Sequence, residues 1–282
     1  MAIARALVRL RTAAWLGWQV ESNWADPVLF TIYVVARPLA VALILVAMYR
    51  AVRGGGAPVA AFVGFYLANA FHSYANKVVV GMGWAVFEER EEYETLKYVY
   101  ASPVGMFTYL LGRSGVKFAL ATISTLLTLA LGWWGLGVRW EWAAVRWLPL
   151  AAAFALSLVA AVALAFLLAG WMLVLARAAF TALDGVMLAL YLLCGVIFPV
   201  DLLPPPLRAL SLVLPFTWWY EALRRFVLGR GTGGVLGSLG DAQVLGALAL
   251  TTLAFALAAQ LGYGAFERRA RRLGRLDQTT LF

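Results

Sequence analysis

Few residues in this chain could do covalent or proton chemistry. It has one histidine, His72, and one cysteine, Cys194. Ser73 follows His72, but neighbouring residues on a helix point to different sides, so the two do not form a base and nucleophile pair. A transition-metal centre draws on several His, Cys or carboxylate ligands, and neither a second histidine nor an H-E-x-x-H pattern is present. Gly229, Gly231, Gly233 and Gly234 form a glycine cluster, yet no lysine follows to complete a phosphate-cradling G-x-x-x-x-G-K-[ST] loop. The sequence therefore assigns no catalytic residue and no metal, and it excludes nucleotide hydrolysis by this chain. What remains is a set of polar residues inside or at the ends of apolar runs: Arg37, Asn69, His72, Asn76, Lys77 and Asp184. A charge at the centre of a bilayer costs at least about 2.5 kcal/mol. These side chains must face a bundle interior, an interface between copies or a watery cavity. Asn69, His72 and Asn76 recur at helical spacing and share one face. That face lines a watery path, or bonds to Arg37 or Asp184 on neighbouring helices as interhelical glue. Arg37 precedes Pro38, which kinks a helix, and Lys77 is placed to snorkel to an interface.

The elements that carry these residues follow from composition. Of 282 residues, 63% are hydrophobic and 13% charged. A soluble domain carries about 45–50% and about 25%, so lipid must solvate much of this surplus. The apolar residues fall in unbroken runs of Leu, Ala and Val, which argues for helices against a barrel. The lone Cys194 excludes an internal disulfide framework and reads as a packing residue. Runs of about 20 residues cross the hydrocarbon, and they give spans at about 28–48, 59–80, 116–136, 148–175, 180–198 and 244–266. Asp26 is placed to cap the first, with Pro27 at its first helical position. Gly64 and Gly185 offer small-residue seams. Residues 1–25 hold three arginines and no long apolar run, unlike a cleavable signal peptide. They read as an amphipathic helix lying in the interface, with Leu7, Leu10, Ala14 and Trp18 on one face and Trp15, Trp18 and Trp24 at headgroup depth. Residues 268–282 read as a basic tail. The net charge of +9 fits contact with anionic headgroups rather than nucleic acid. Arginines near both termini place both on the cytoplasmic side. Arg139, Arg146, Arg208, Arg224, Arg225 and Arg230 then fall outside, so the bias rests on the termini.

Two segments depart from simple spans. Between the second and third runs stand Glu88, Glu89, Arg90, Glu91, Glu92 and Glu94, holding five of the chain's 14 acidic residues. Thr95, Leu96, Val99 and Tyr100 follow, and Pro103 after Ser102 ends the run. This reads as a short charged helix on the cytoplasmic side, its apolar stripe against the bilayer and its acidic patch free to guide a partner. The plain alternative is a solvated charged loop. Between the fifth and sixth runs, an apolar stretch breaks at Pro199, Pro204, Pro205 and Pro206, and again at Pro215. Trp218, Trp219 and Tyr220 follow, then Arg224 and Arg225. Each piece is too short to cross, so the pattern reads as two half-helices dipping into the outer leaflet or as a loop on the headgroups.

Together these segments resemble the type-2 permeases of ATP-binding-cassette exporters. That family carries a cytoplasmic stretch Glu-x-x-x-Gly-Thr-Leu-Glu followed by Ser-Pro or Thr-Pro. Glu91, Thr95, Leu96, Ser102 and Pro103 match it, while Glu94 stands where glycine is usual and Lys97 where glutamate is usual. A second signature, Gly-x-x-Phe-Pro, Leu-Pro, then Pro followed by Arg, is matched by Gly195, Phe198, Pro199, Leu203, Pro204, Pro215 and Arg224. The resemblance spans about Trp24 to Phe266. It implies an all-α integral membrane protein with an N-terminal interfacial helix, six transmembrane helices over 26–267, a cytoplasmic coupling helix, and a re-entrant outer gate before the last span. It further implies a non-catalytic subunit working as a dimer with two ATPase subunits, which hold the ATP and magnesium. This chain has no cofactor of its own, and a drug-like, lipid-like or glycoconjugate cargo is implied. The alternative is a passive polar-lined channel, or a structural membrane subunit, without an ATPase.

Overall fold

The computed structural model describes residues 2–22, 27–53, 60–175 and 179–275, and every regular element among them is helical. Asp26, Trp24 and the tail beyond 275 lie outside the described residues, so the expected cap and interface ring there have no structural account. The helices are α1 (Ala2–Ser22), α2 (Pro27–Arg53), α3 (Ala60–Phe87), α4 (Leu96–Ala101), α5 (Met106–Ala130), α6 (Trp147–Val174), α7 (Ala179–Leu193), α8 (Pro205–Val213), α9 (Pro215–Leu228), α10 (Gly234–Gly237) and α11 (Asp241–Arg272). A π turn, Glu88–Glu92, follows α3, and a second, Leu131–Gly135, extends α5.

Each expected apolar run meets a helix, but not all of them qualify as membrane spans. Four stretches are long and apolar enough to cross: Val28–Ala51, Met106–Gly135, Trp147–Val174 and Asp241–Arg272. The apolar part of α7, Thr181–Leu193, is shorter. It stops before the expected boundary because Gly195 turns the chain with φ of 74°, a conformation open to glycine. α3 falls outside the set because Asn69, His72, Asn76 and Lys77 dilute its hydropathy. Pro38 lies inside an unbroken α2.

α3 is the axis of the bundle. It packs against α2, α5, α6, α7 and α9. Tyr66, Leu67, Ala68, Ala70, Val79, Met82, Ala85 and Val86 are almost wholly enclosed. Its polar groups therefore meet protein instead of lipid, which is how a polar helix persists in apolar surroundings. α6 and α11 share an extensive seam built on small residues. A Cβ at Gly170 would lie 3.1 Å from the Tyr263 Cα, and one at Gly262 would lie 2.6 Å from Leu167 Cδ1. Such close backbone approach replaces hydrophobic driving force, which lipid does not supply between helices. Gly64 does sit in a tight contact, under Arg224, whereas Gly185 faces open space.

α1 differs from a helix lying free on the surface. It packs along α5 through Ala13 and Gly17. A Cβ at Gly112 would come within 2.5 Å of Ala13 Cβ, and one at Gly17 would touch the Arg113 side chain at 3.0 Å. The packed face is thus the small-residue one, while Trp15 and Trp18 are exposed. Helical periodicity of large residues pointed to Leu10, Ala14 and Trp18, but the smallest residues let two helices approach most closely. Gly170→Val should lower thermal stability in detergent by about 1–3 kcal/mol through overpacking. Gly246→Ala, at a site with nothing within 4 Å, should leave the melting temperature unchanged.

Candidate functional site

The bundle has two polar ends. At one, the segment from Glu88 to Ala101 joins α3 to α5. The acidic run is not the free patch that its composition suggests. Glu89, Arg90 and Glu91 are buried, and only Glu92 and Glu94 among the glutamates are exposed. Glu88 pairs with Arg113 of α5. Burial raises its carboxyl pKa above the ordinary value, and the guanidinium opposes that shift. Glu89 accepts hydrogen bonds from the hydroxyls of Tyr109 and Thr95. Arg90 pairs with Glu91 through Nε at 2.6 Å. Its two Nη atoms donate to the carbonyls of Met172 at 3.0 Å and Leu175 at 3.1 Å. Those carbonyls close α6, where the last turn has no intrahelical donors, so Arg90 caps a helix from another part of the chain. A carboxylate run beside Arg90, Thr95 and the Arg113 and Tyr109 side chains of α5 gains more from pairing than from water.

The π turn gives this arrangement its geometry. A π turn widens the helix and redirects the residues on it. The Thr95 backbone N–H donates to the Glu89 carbonyl at 2.8 Å, and this closes the loop around Glu94. Glu94 has φ of 52°, the left-handed region, and is the one non-glycine in that region among the described residues. The strain there accounts for the glycine that the resemblance leads one to expect. α4 then buries Leu96 and leaves Lys97 and Tyr98 exposed. It ends at Ala101, with Ser102 bonding back to the Val99 carbonyl at 2.8 Å and Pro103 exposed. The Tyr100 hydroxyl meets that of Tyr263 on α11 at 3.4 Å, and Arg271 lies over the Tyr100 ring at 4.8 Å. The segment is thus tied to α5, α6 and α11 at once. Beside it, an apolar cavity of about 500 Å³ opens between α1 and α4, lined by Ala13, Leu16, Val20, Val99 and Val104 among others.

At the other end, α8 and α9 form a hairpin bounded by proline. Pro199 and Pro204 flank a short 3-10 turn, and Pro215 starts α9 in a position where its missing N–H costs nothing. The Ser211 hydroxyl donates to the Leu193 carbonyl at 2.8 Å, and Trp218 Nε1 to that of Leu212 at 2.8 Å. α9 is enclosed from Pro215 to Val227. Arg224 joins the turn after α7 to the first turns of α3: it donates to the Gly195 carbonyl and, at 3.3 Å, to that of Gly64, and it stacks 4.8 Å from the Phe65 ring centre. The resemblance motifs at Gly195, Phe198, Pro199, Leu203 and Arg224 therefore converge in space. Leu203 is buried and Phe198 half-buried, while Pro204 is exposed and Pro215 sits in the core.

Sequence reasoning missed the network around Arg224. Glu221 is wholly buried and pairs with Arg225 at 2.8 Å. Glu221 also accepts from Thr232 N at 3.1 Å and Thr232 Oγ1 at 2.5 Å. Arg225 donates to the carbonyls of Leu236 at 2.5 Å and Leu239 at 2.6 Å. Asp241 links Arg225 at 3.4 Å with Arg146 at 2.5 Å. The available signal was the opposite-charge pair at i and i+4 within an aromatic segment. The tie between Glu88 and Arg113 joins residues remote in sequence and had no such signal.

The intramembrane polar residues separate into two groups. Asn69 accepts from the Tyr191 hydroxyl of α7 at 2.8 Å, and His72 Nδ1 lies 2.8 Å from the Tyr220 hydroxyl of α9. Their partners are tyrosines, not the Arg37 or Asp184 that charge pairing favoured. Asn76 and Lys77 are half-buried, and Arg37 and Asp184 are exposed.

This helical bundle agrees with a known family: the ABC-2 type transporter matches residues 10–228. The chain belongs to the ABC-2 type transporter family. It is a multi-pass membrane permease of a family that generally works with ATPase partners. The match runs from α1 through α9 and covers both polar ends, while α11 lies beyond it. A comparison with curated proteins finds none that matches the chain.

Two substitutions test the first polar end. Glu94→Gly should raise stability by about 1 kcal/mol by relieving the left-handed strain, read as a higher melting temperature in detergent. Arg90→Met removes the guanidinium from the buried Glu91 and its donors from the carbonyls that close α6. It should cost about 3–5 kcal/mol in the same measurement, with Arg90→Lys intermediate.

Proposed function

We propose that this permease is the membrane subunit of an ATP-driven exporter whose ATPase subunits dock on α4 and the loop before it. One observation carries the reading. The π turn is fastened to α5 by the ion pair of Glu88 with Arg113 and to α6 by the hydrogen bonds of Arg90, yet with α4 it presents Glu92, Tyr93, Glu94, Lys97 and Tyr98 outward on one short segment. A handle that transmits force needs both properties: an exposed face to hold and a stiff attachment to the bundle. Buried ion pairs break only at a cost of about 3–5 kcal/mol, so motion of α4 is passed to the ends of α5, α6 and α11 before the attachment gives way.

In this reading α2, α3, α5, α6, α7 and α11 are the six spans of one transmembrane domain over residues 26–267. α3 crosses because protein surrounds it, and α7 crosses beside α3 as the shortest of the six. α1 is an inner-face helix, the residues from 268 on form a basic cytoplasmic tail, and both termini are cytoplasmic in a prokaryotic cell membrane. α8 and α9 form the outer re-entrant gate, with Gly195, Phe198, Pro199, Leu203, Pro204, Pro215 and Arg224 at its hinge and anchor points. Two permease copies enclose the path, two ATPase subunits hold ATP and magnesium, and this chain holds no cofactor. Asn69 and His72 act as glue between α3, α7 and α9. A drug-like, lipid-like or glycoconjugate cargo leaves past the hairpin.

The decisive test reverses only the exposed charges. Glu92→Lys, Glu94→Lys and Lys97→Glu combined should reduce co-purification with the cognate ATPase by about tenfold or more, since opposed charges guide docking and register. Membrane insertion and melting temperature should stay unchanged. Full ATPase association and transport in that triple variant would refute this segment as the docking face, whereas transport by the purified chain with no ATPase bound would leave a passive channel as the better reading.

A further inference from the structure

A second charged cluster lies beside the coupling segment and shares with it only the pair of Glu88 and Arg113. Lys117 of α5 stretches across α3, where a Cβ at Gly81 would meet its Cγ at 2.5 Å. Gly81 stands one helical turn from the half-buried Lys77. The charges acting on Lys77 are Lys117, Arg37 and Glu21. Lys117 already pairs with Glu21 of α1. Arg113, one turn earlier on α5, is buried and pairs with Glu88 through one nitrogen, while its Nε and Nη1 are enclosed without a partner. Lys77 makes no ion pair or hydrogen bond among the described residues. The two lysines, Lys77 and Lys117, thus share one carboxylate, Glu21, while Glu88 and Glu89 serve Arg113. Like charges brought together away from water repel strongly, and an added anion relieves them.

The level of the cluster in the bundle identifies the anion. Residues 118–138 of the α5 stretch carry no charge, and neither do residues 60–76 of α3. Lys117 and Lys77 are therefore the first charges met on leaving two uncharged stretches of about membrane thickness. Trp15 and Trp18 of the adjacent α1 are exposed at headgroup-seeking positions, and α2 offers an exposed apolar face at Val28, Leu29 and Ile32. We propose that the junction of α1, α2, α3 and α5 around these two lysines binds the phosphate of an anionic phospholipid, with Lys77 and Lys117 contacting the headgroup and an acyl chain along α2. Ammonium groups suit phosphate as point charges, and basic pockets between membrane helices on the cytoplasmic side favour anionic headgroups. A zwitterionic lipid brings no net charge to offset the excess. A free phosphate ion has the same oxygens but nothing to lie against α2. The placement in the inner leaflet rests on the orientation proposed above, whereas the binding itself does not depend on an ATPase.

The test uses the full chain, delipidated in detergent, without any partner. Native mass spectrometry should show phosphatidylglycerol retained about tenfold more than phosphatidylcholine, equivalent to about 1.4 kcal/mol. Lys77→Gln should abolish that preference while the melting temperature of the lipid-free protein stays unchanged, and Lys77→Arg should retain it. Equal retention of the two lipids, or an unaltered preference in Lys77→Gln, would overturn the proposal. So would inorganic phosphate stabilising the protein as much as phosphatidylglycerol does, since that assigns the site to a soluble ion. Because the readout needs no nucleotide or cargo, its failure would leave the coupling reading standing. Failure of ATPase docking would likewise leave this one intact.

Discussion

Hydrocarbon cannot hydrogen-bond, so each polar group left facing it costs several kcal/mol, and the arrangement of this bundle follows from where its polar groups had to go. α3 carries Asn69, His72, Asn76 and Lys77 along a helix otherwise suited to a membrane. The remedy is enclosure. α5, α6, α7 and α9 wrap α3, and the tyrosines at 191 and 220 reach in to satisfy Asn69 and His72. Tyr66 and Thr125 add hydrogen bonds to the backbone carbonyls of Thr128 and Ala70. Of the long apolar helices α2 and α11 are the least buried, whereas α6, the most apolar of them, is the most enclosed.

Arginine solves the same problem where helices stop. The end of α6 and the turn after α7 both leave carbonyls without helical donors. Arg90 serves Met172 and Leu175, and Arg224 serves Gly195 and Gly64. A guanidinium has five donors in a fixed plane, so one side chain can hold two chain segments in a set relation. In each case the arginine comes from a segment that the membrane does not itself order: the π turn after α3 and the short helix α9. Their attachment is therefore specified by directional bonds as well as by apolar contact.

The parts of this fold legible in the sequence were those carried by local composition. Runs of Leu, Ala and Val marked where the helices lie, and Pro199, Pro204 and Pro215 marked the breaks that bound α8 and α9. Pairings between distant segments were not legible. Five glutamates in seven residues read as a solvated patch, because nothing local reveals that Arg113 and Tyr109 wait on the next helix. The face of α1 was misread for a related reason. Periodicity weights large residues, while Ala13 and Gly17 decide the contact by what they lack. Glu94 is a middle case: its left-handed backbone is visible only in three dimensions, yet the absence of glycine at that place in the motif already marked it as unusual.

The ion pairs at the hairpin end differ in strength in a way that dictates how that end can yield. Arg146 and Asp241 are 46% and 40% exposed in their side chains, and a solvated pair of this kind contributes about 0–1 kcal/mol. Glu221 and Arg225 are buried, and their remaining valences are filled by Thr232, Leu236 and Leu239. Breaking that set would strand a carboxylate and a guanidinium away from water, at a cost of about 3–5 kcal/mol. Any separation of α6 from α11 at this end therefore gives up the pair of Arg146 and Asp241 first, and α9 carries the 229–239 loop with it as one body. The stiff unit is the network that charge counting along the sequence overlooked, and the weak joint is the surface pair beside it.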